Sequence, residues 1–427
     1  MISFKDAQRI IFEQKQLPSL KMPIRDCLGY VASKDVFSEV FIPSFVNSAV
    51  DGFAVSSTKL LNASSTNIIE LKVVGRTMAG DACAEGEEFS KTSNPIGVWE
   101  IMTGACVPRG YDAVVPVEKV KILNSDDNQH PSDVSFRAPI NGQANIRMPG
   151  EDYKPGSLII SKGSKLNSAS ILALSAIGQK MINVVAKPKV TLFSSGNEVV
   201  TDCFADLRSG QIRDANGPYL LSALDESGLA KTKFAGVLAD DADQFKVSIL
   251  NALDKTDVLI SSGGVSAGRH DFIPGALRDL GAEIIFHKVA IRPGKPILYA
   301  RLPNDTHYFG LPGNPVSAAV GFRFFVLPLL RNLQGMPVEA PLKAQLKNQV
   351  VKNHDYHFFA KSNLSVTDGA ELIVDILEGQ ESFKTHPLLN SNCWAVFKKD
   401  DYVRDAGDVV DVYPLTPGCI DLSKEQE

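Results

Sequence analysis

The feature that most constrains the fold is an alternation of short apolar runs with longer helical patterns between residues 187 and 335. Strands that alternate with helices are typical of a parallel, doubly wound sheet, whose ligands bind outside the carboxyl ends of the strands. The predicted strands are Val190–Phe193, Lys233–Leu238, Asp257–Ser261, Glu283–Val289, Pro296–Arg301 and Tyr308–Leu311. The predicted helices are Gly217–Ser227 with Asn216 as N-cap, Asp243–Leu253, Phe272–Leu280 and a long apolar helix that ends near Gly335.

The flanking regions have a different pattern. Residues 27–186 alternate short β-like runs with Gly/Pro turns, and one helix is predicted over Ser168–Gly178. The polar stretch Leu123–Ser135 is typical of an exposed loop or hairpin. After Gly335 the pattern is all β, which suggests a small barrel or sandwich. Because 427 residues are too many for one ordinary core, we predict a multidomain protein of the α/β plus β class.

Composition limits the partners. A net charge of −5 does not favour nucleic acid. The N-terminus does not resemble a signal peptide, and the strongest apolar run, Phe322–Leu330, is too short to span a bilayer. The six cysteines form no Cys-x-x-Cys pair, which argues against a zinc site or a disulfide framework and favours reduced thiols. We expect a cytoplasmic protein without nucleic-acid or membrane partners.

Two segments indicate an anion site. In the segment 310–317 a strand ends and a helix begins, so the unpaired N–H groups of the first helical turn can bind an anion; its candidate residues are Pro312, Gly313, Asn314, Pro315 and Ser317. In the segment 290–296, Arg292 and Lys295 flank a stiff Pro-Gly turn. The alternatives are a capped turn for the first segment and a solvated loop for the second.

Two further segments follow predicted strands and suggest a phosphate and metal site. The Gly-rich loop after Ser262 can direct N–H groups at a phosphate or a pterin, and its candidates are Gly263, Gly264, Ser266 and Asp271. The turn after Ser194 supplies Ser195, Gly196 and Glu198. Carboxylates from neighbouring strand ends can hold a hard cation such as Mg²⁺. A helix cap is the alternative for Asp271, and a surface carboxylate is the alternative for Glu198.

Three segments outside the predicted sheet contain polar residues in tight turns. They supply Asp51 in Val50-Asp51-Gly52, Thr103 in Met102-Thr103-Gly104, and Arg147 with Asp152 in the stretch 145–152. Each of them alone is ordinary turn chemistry.

Taken together and in this order, the segments resemble the MoeA family, which includes the gephyrin E domain. The resemblance extends from about Ser3 to Gly335. It implies a homodimer of four-domain subunits, with an active site between the α/β domain of one subunit and the Asp51/Thr103 domain of the other. The implied domains are a MogA/MoaB-like pterin-binding α/β domain (1–26 and 187–335, with an N-terminal helix packed on it or on the dimer interface), a linking and dimerisation domain (27–46 and 145–186), a mostly-β lid domain (47–144) and a C-terminal β-barrel-like domain (336–427).

The resemblance also implies an activity, that of a molybdopterin molybdenumtransferase. The substrates would be molybdate and adenylylated molybdopterin, and Mg²⁺-dependent cleavage of the adenylate would release AMP as the metal enters the dithiolene. Glu198 and Asp271 would hold Mg²⁺, while Arg292, Lys295 and Ser317 would bind molybdate. Asp51, Thr103, Arg147 and Asp152 would complete the cleft. A MogA/MoaB-type adenylyltransferase and molybdoenzyme apoproteins would be partners.

The sequence departs from the family pattern at several positions. Glu100 stands where the family usually has Arg, and Arg292 where it often has Lys; Val50 and Phe53 replace Met and Tyr. In the C-terminal region the nearest match to the element G-R-x-x-F-x-R is the stretch 355–361, which ends in Lys361. Thr385-His386-Pro387 replaces a serine-bearing segment.

These departures leave alternatives open. One is a paralogue that binds molybdopterin or its adenylate without efficient insertion, and another is an enzyme that uses tungstate. A scaffold protein is disfavoured because no long linker or second module is visible. A nucleotide-pyrophosphate hydrolase of the CinA type is disfavoured because that type lacks the Asp51 and Thr103 segments.

Overall fold

The computed structural model describes residues 1–82, 96–264, 272–418 and 422–424. The chain divides into two compact units. Unit 1 comprises Met1–Lys34, Lys162–Asn167 and Met181–Glu427, and unit 2 comprises Asp35–Ser161 and Ser168–Lys180. The finer division into four domains stays a prediction.

Helices and strands are labelled in chain order. The helices are α1 (Phe4–Phe12), α2 (Ser168–Ala176), α3 (Asn216–Ser227), α4 (Ala242–Leu253), α5 (Ile273–Asp279), α6 (Pro315–Gly321), α7 (Leu327–Leu333) and α8 (His386–Leu389). The strands up to Val185 are β1 (Ser19–Pro23), β2 (Val31–Ala32), β3 (Val36–Phe37), β4 (Asn47–Ser48), β5 (Gly52–Val55), β6 (Ile69–Thr77), β7 (Val98–Ile101), β8 (Ala113–Pro116), β9 (Lys121–Ser125), β10 (Pro131–Phe136), β11 (Ile146–Arg147), β12 (Leu158–Ile160) and β13 (Met181–Val185). The later strands are β14 (Lys189–Ser195), β15 (Val199–Val200), β16 (Ile212–Arg213), β17 (Lys231–Leu238), β18 (Val258–Ser262), β19 (Glu283–His287), β20 (Ile291–Arg292), β21 (Leu298–Arg301), β22 (His307–Leu311), β23 (Leu342–Leu346), β24 (Val350–Val351), β25 (His357–Val366), β26 (Leu372–Ile376), β27 (Cys393–Phe397), β28 (Val403–Arg404), β29 (Val409–Pro414) and β30 (Ser423–Lys424).

The central sheet of unit 1 has the order β17-β14-β18-β22-β21-β19. The first four strands are parallel, as predicted. The prediction of a fully parallel sheet is wrong at β21, which is antiparallel to both of its neighbours. The reason is the length of the connection. Only residues 302–306 separate β21 from β22, and so short a connection can join only antiparallel strands.

Both faces of this sheet are buried. Leu192, Ile260 and Phe309 belong to one apolar cluster, which also includes residues of α1, α3, α6 and α7. Their neighbours Phe193 and Tyr308 belong to a second cluster with residues of α4 and α5. Adjacent residues of a strand point to opposite faces, so helices cover both sides. The doubly wound architecture is therefore confirmed.

The start of α3 differs from the prediction. Its N-cap is Ala215, not Asn216. The Asn216 side-chain amide donates instead to the Gly313 carbonyl oxygen at 2.8 Å. Asp214 caps the helix, since its Oδ1 accepts from the Gly217 N–H at 2.9 Å. A residue at a strand-helix junction can thus bond across the sheet edge instead of to its own helix.

The long apolar helix spans Pro315–Leu333 and contains a π-helical turn at Phe322–Val326. It is long and apolar enough to cross a membrane by length and composition, but 89% of its apolar window is buried inside the protein. Phe324 stacks at 4.2 Å between ring centroids on Phe359, and Phe4 of α1 packs edge-on against both rings. Core packing therefore explains its apolar composition.

The C-terminal part of unit 1 is a closed barrel. Its strands pair in the ring β25-β26-β23-β29-β27, and β27 returns to β25. Ala360, Leu364, Val374 and Phe397 belong to its apolar core. The prediction of a small C-terminal barrel is confirmed as architecture. Strand β20 also joins this sheet, because it pairs in parallel with β25.

Unit 2 contains a six-stranded sheet with the order β8-β5-β7-β6-β10-β9. Strands β9 and β10 are antiparallel neighbours, which confirms a hairpin over the polar stretch Leu123–Ser135. Phe53, Val98 and Phe136 belong to the apolar core beneath the sheet.

The cysteines differ from the prediction at one position. Cys27, Cys203 and Cys393 are free thiols, but Cys106 is disulfide-bonded. The expectation of six reduced thiols is therefore wrong for Cys106.

Acid stability should depend on His307. This side chain is 6% exposed, and its Nδ1 lies 2.8 Å from the Tyr299 hydroxyl. Burial lowers the pKa of His307 from 6.5 to about 4. The unfolded chain therefore binds a proton more readily between these values, and His307 should reduce stability by up to about 3 kcal/mol as the pH falls from 6.5 to 4.

The measurement is the free energy of unfolding from urea titrations at pH 7, 6 and 5, for the wild type and His307→Gln. The free energy of unfolding of the wild type should fall relative to that of His307→Gln as the pH falls. A difference in the free energy of unfolding that does not vary with pH would contradict the lowered pKa of His307.

Candidate active site

Three strand ends lie side by side at one edge of the central sheet. Ser194 of β14 pairs with Ser262 of β18, and Ser262 pairs with Leu311 of β22. The turns that follow these strands contain the predicted residues, so the prediction that all three lie at carboxyl ends is confirmed. Ser266 and Asp271 of the second turn lie outside the described residues.

A cavity of about 950 Å³ opens at this edge and is called the sheet-edge cavity. Eight predicted residues line it: Ser195, Gly196, Glu198, Gly263, Gly264, Gly313, Asn314 and Pro315. Residues that the sequence analysis did not select also line it, among them Asp214, Asn216, Asp240, Phe272 and Phe383. The signal for Asp240 was available, because it follows β17 at the carboxyl edge of the same sheet.

Glycine is required at Gly263 by close backbone approach. Its φ is +96°, and a Cβ there would lie 2.5 Å from the Ser195 carbonyl oxygen. The Ser195 hydroxyl donates to the Ser262 carbonyl at 3.1 Å, which joins the first two turns. In contrast, a Cβ on Gly313 would meet only the Cα of Gly263, at 3.7 Å, among the residues that the structure describes. Gly313 therefore leaves open space at the cavity.

The acids of the sheet-edge cavity have different surroundings. Asp214 accepts from the Ser194 hydroxyl at 2.5 Å as well as from the Gly217 N–H, so it is committed to the start of α3. Asp240 and Asn197 exchange two hydrogen bonds of 3.1 and 3.3 Å. Glu198 is exposed.

Two buried polar atoms face this region without a protein partner. Among the described residues, the Ser262 hydroxyl and the Asn216 amide oxygen form no hydrogen bond. Both residues line the sheet-edge cavity. Because an unpaired buried polar atom is costly, they are natural contacts for a polar ligand.

A divalent cation would have to bind through few protein ligands. Within the described ranges, no group of three or more His, Cys, Asp or Glu residues is placed to hold a metal ion. Glu198 and Asp240 nevertheless line one cavity and are hard oxygen donors. Mg²⁺ usually keeps several waters and binds through one or two carboxylates plus phosphates, so this donor set fits Mg²⁺.

A second cavity of about 720 Å³ is called the basic cavity. The predicted residues that line it are Arg292, Lys295, Pro312, Asn314 and Ser317. The turn that carries Arg292 is not a solvated loop, since Ile291 and Arg292 pair with His357 and Phe358 of the barrel. The backbone of this turn is therefore fixed at Arg292, while the side chains of Arg292 and Lys295 are exposed.

The basic cavity is adapted to an anion. The Lys295 ammonium donates to the Tyr356 hydroxyl at 3.2 Å and lies 5.2 Å from its ring centroid. The acid at the wall, Glu381, is paired with Lys384 at 2.9 Å. Burial, and then the charges of Arg292 and Lys352, lower the pKa of His354, which keeps this side chain neutral at pH 7.

The two cavities adjoin. Asn314 and Phe383 line both of them. A ligand in the sheet-edge cavity can therefore lie next to an anion in the basic cavity.

In unit 2, Asp51 and Thr103 form a hydrogen-bonded pair. The Thr103 N–H and hydroxyl donate to the same Asp51 carboxylate oxygen at 2.6 and 2.8 Å. The N–H and then the hydroxyl lower the pKa of Asp51. Ser48 joins the predicted segments, since its carbonyl accepts from Gly104 at 2.8 Å and it pairs with Ile146. Arg147 and Asp152 are exposed in this unit.

The departures from the family pattern have structural explanations. Glu100 forms an ion pair with Arg76, with 2.5 Å between Nε and Oε2. Lys361 is fully buried in β25. His386 is exposed at the start of α8 and does not line the basic cavity.

Comparisons with known proteins agree with this architecture. Residues 2–178 match the MoeA N-terminal region (domain I and II), and residues 191–332 match a probable molybdopterin binding domain. Solved structures similar to this chain include a molybdopterin biosynthesis MoeA protein from Pyrococcus horikoshii, with 25% identity, a TM-score of 0.78, and coverage of 96% of this chain and 99% of that one. Another structure of that description has 29% identity, a TM-score of 0.76, and coverage of 97% and 99%.

The fold and site thus define a multidomain protein built around a molybdopterin-binding type of α/β domain. Curated relatives named molybdopterin molybdenumtransferase include one from Synechococcus elongatus, 34% identical over 95% of this chain and 97% of the relative. One from Haemophilus influenzae is 31% identical over 97% and 99%. This chain belongs to the MoeA family of molybdopterin molybdenumtransferases.

Two glycine substitutions should differ in their effect on stability. Gly263→Ala should lower stability by about 1–2 kcal/mol, because an L side chain is strained at positive φ, and the new Cβ would also press on Ser195. Gly313→Ala should leave stability unchanged, since only an ordinary contact awaits its Cβ.

Thermal denaturation of both variants and the wild type tests this pair. A Gly313→Ala protein as unstable as Gly263→Ala would contradict the description of the two turns.

Proposed function

We propose that this protein inserts molybdate into adenylylated molybdopterin, with Mg²⁺-dependent release of AMP, in the biosynthesis of the molybdenum cofactor. The observation that supports this reaction best is the pair of adjoining cavities, one built from Gly-rich turns and one basic. Insertion requires a pterin and an oxyanion to bind side by side. The shared residues Asn314 and Phe383 offer that arrangement.

The sheet-edge cavity is assigned to the adenylylated pterin. Backbone N–H groups of its glycine turns suit phosphate oxygens. The unpaired Ser262 hydroxyl and Asn216 amide oxygen offer hydrogen bonds to a polar ring system. Glu198 and Asp271 are assigned to Mg²⁺, and Asp240 is added from its place in the cavity. When bound, the ion neutralises charge on the adenylate phosphates.

The basic cavity is assigned to molybdate. Arg292 and Lys295 supply two positive charges to a dianion, and Ser317 supplies a hydroxyl at the start of the long helix. Tyr356 orients the Lys295 ammonium. Charge-assisted hydrogen bonds of this type are worth roughly 1.5–3 kcal/mol each.

A homodimer would bring Asp51, Thr103, Arg147 and Asp152 of one subunit to the cavities of the other. Unit 2 has apolar side chains exposed, and two of them are cross-strand partners: Phe37 of β3, 49% exposed, and Leu158 of β12, 51% exposed. Exposed apolar neighbours of this kind often mark an interface. We assign them to the contact between subunits.

The reaction is tested with purified protein, adenylylated molybdopterin, Mg²⁺ and either molybdate or tungstate. Formation of AMP and of the metal-containing cofactor is followed for each oxyanion. Both products should form with molybdate, and neither without Mg²⁺. Pterin binding without AMP release would instead identify a binding protein, and turnover with tungstate alone would change the assigned metal.

Glu198→Gln should slow Mg²⁺-dependent AMP release and raise the Mg²⁺ concentration needed, because it removes one hard anionic ligand. Pterin affinity should be nearly unchanged, and the fold should survive because Glu198 is exposed at a strand end. Initial rates across a Mg²⁺ titration test the assignment. An unaltered Mg²⁺ dependence would remove Glu198 from the metal site.

A shared active site predicts complementation between subunits. Asp51→Ala should abolish cofactor formation and Glu198→Ala should slow it strongly, because each removes a proposed part of one complete site. Mixed hybrid dimers should regain activity, since one of their two sites lacks both changes. No recovery after verified subunit exchange would argue against a site formed by two subunits.

Lys295→Ala should raise the molybdate concentration required by about tenfold or more, because one charge-assisted contact is lost. Pterin affinity should change little, since the pterin ring carries no charge for Lys295 to bind. Molybdate dependence and pterin affinity are measured in the same variant. A fall in pterin affinity with a flat molybdate dependence would place Lys295 at the pterin phosphate instead.

A further inference from the structure

Two lysines of the barrel region are buried with their ammonium groups fully hydrogen-bonded. Lys352 is 5% exposed, and its Nζ donates to the carbonyls of Tyr356, Lys398 and Lys399 at 2.9, 2.8 and 2.6 Å. Lys361 is 0% exposed, and its Nζ donates to the carbonyls of Gly379, Glu381 and Lys384 at 2.7, 3.2 and 3.1 Å. An ammonium has three hydrogens, so neither lysine has one left for a ligand.

Three of these carbonyls belong to residues that line the basic cavity: that of Tyr356, bound by Lys352, and those of Gly379 and Glu381, bound by Lys361. One wall is the segment 353–356, whose last carbonyl binds Lys352. The other is the segment 379–384, which Lys361 binds at three points. Gln380 adds to this attachment, since its amide group exchanges hydrogen bonds of 3.0 and 2.9 Å with the Lys361 backbone.

Each wall in turn fixes a group assigned to the oxyanion. In the first wall, the Tyr356 hydroxyl accepts from Lys295. In the second wall, the Ser382 hydroxyl accepts from the Asn314 amide at 2.9 Å, and its carbonyl accepts from the Val316 N–H at 3.1 Å. Displacement of either wall would therefore move ligand-binding groups that neither lysine touches.

Burial of a charged group is costly unless hydrogen bonds offset it. Burial lowers the pKa of both lysines, and nearby carboxylates oppose this effect by stabilising the charged form: Asp401, Asp355 and Asp400 for Lys352, and Glu381 for Lys361. A buried cation held in this way stabilises one conformation of the carbonyls around it. An uncharged side chain of similar length would leave three carbonyls without a donor.

We propose that Lys352 and Lys361 are positioning residues of the oxyanion site: Lys352 joins the 353–356 wall of the basic cavity to the carbonyls of Lys398 and Lys399, and Lys361 holds the 379–384 wall. The inference rests on the proposed assignment of this cavity to molybdate. It also gives a role to Lys361 that differs from direct contact with the oxyanion, because its ammonium is spent on the 379–384 segment.

The test measures binding of sodium molybdate and sodium tungstate to the full-length protein by calorimetry, without pterin. Lys352→Met and Lys361→Met should each weaken oxyanion binding by about tenfold or more, as expected for a loss of about 1.4 kcal/mol. Lys361→Arg, in contrast to Lys361→Met, should retain oxyanion binding, since guanidinium keeps the charge and several donors. Lys165→Met is the control, because Lys165 also donates to a carbonyl, that of Ser227, but lines neither cavity.

A second readout separates positioning from general loss of structure. The 353–356 segment lines the basic cavity but not the sheet-edge cavity, so Lys352→Met should leave molybdopterin affinity within about twofold of the wild type, a difference of about 0.4 kcal/mol. Equal loss of oxyanion and pterin affinity in this variant would overturn the proposal. So would oxyanion binding at wild-type strength in either folded Met variant.

Where a Met variant does not fold, the corresponding Gln variant takes its place. Its shorter amide side chain loses the charge and one of the three donors, so oxyanion binding should still weaken. Unchanged oxyanion affinity in that variant overturns the proposal in the same way. The outcome is independent of turnover. A wild type that binds molybdate but forms no cofactor would defeat the proposed reaction while leaving the role of the two lysines standing.

Discussion

The structure depends above all on the parallel pairing of β14, β18 and β22 in register. Because Ser194 pairs with Ser262 and Ser262 pairs with Leu311, the three strands end side by side and the turns that follow them begin at the same edge of the sheet. Parallel strands place their carboxyl ends, and the helices that follow them, on the same edge. The glycine-rich turns, the carboxylates and the opening of the long helix are therefore neighbours, although more than one hundred residues separate the first turn from the last.

A second constraint joins this edge to the barrel. The short strand β20 lies in the chain between β19 and β21 of the central sheet but pairs with β25 of the barrel sheet. This pairing fixes the Arg292 turn against the barrel. The segment 379–384 closes the arrangement from the barrel side through Ser382 and Asn314. The basic cavity that results could be formed by neither the α/β sheet nor the barrel alone, because its cations and its walls come from different parts of unit 1.

The local sequence pattern was sufficient to predict an element wherever residues close together in the chain decide its structure. The apolar runs of β14, β18 and β22 are buried on both faces, and so they were recognisable as strands of a covered sheet. The direction of β21 was not, because the strand pattern is the same for either direction and only the length of the connection to β22 decides it. Asn216 was misassigned as a cap for a similar reason, since its partner Gly313 is distant in the chain.

By itself, the sequence determined the class of the protein, the turns at the edge of the central sheet, and some of the residues that line the two cavities. These features follow from local periodicity, glycine and proline placement, and charge. Only the tertiary structure decided that the cavities adjoin at Asn314 and Phe383, that Asp214 and Asp240 line the first, and that the buried ammonium groups of Lys352 and Lys361 bind carbonyls of residues that line the second. The physical reason is that hydrogen bonds between distant segments, such as those from Lys361 to the 379–384 carbonyls, have backbone acceptors that any residue can supply.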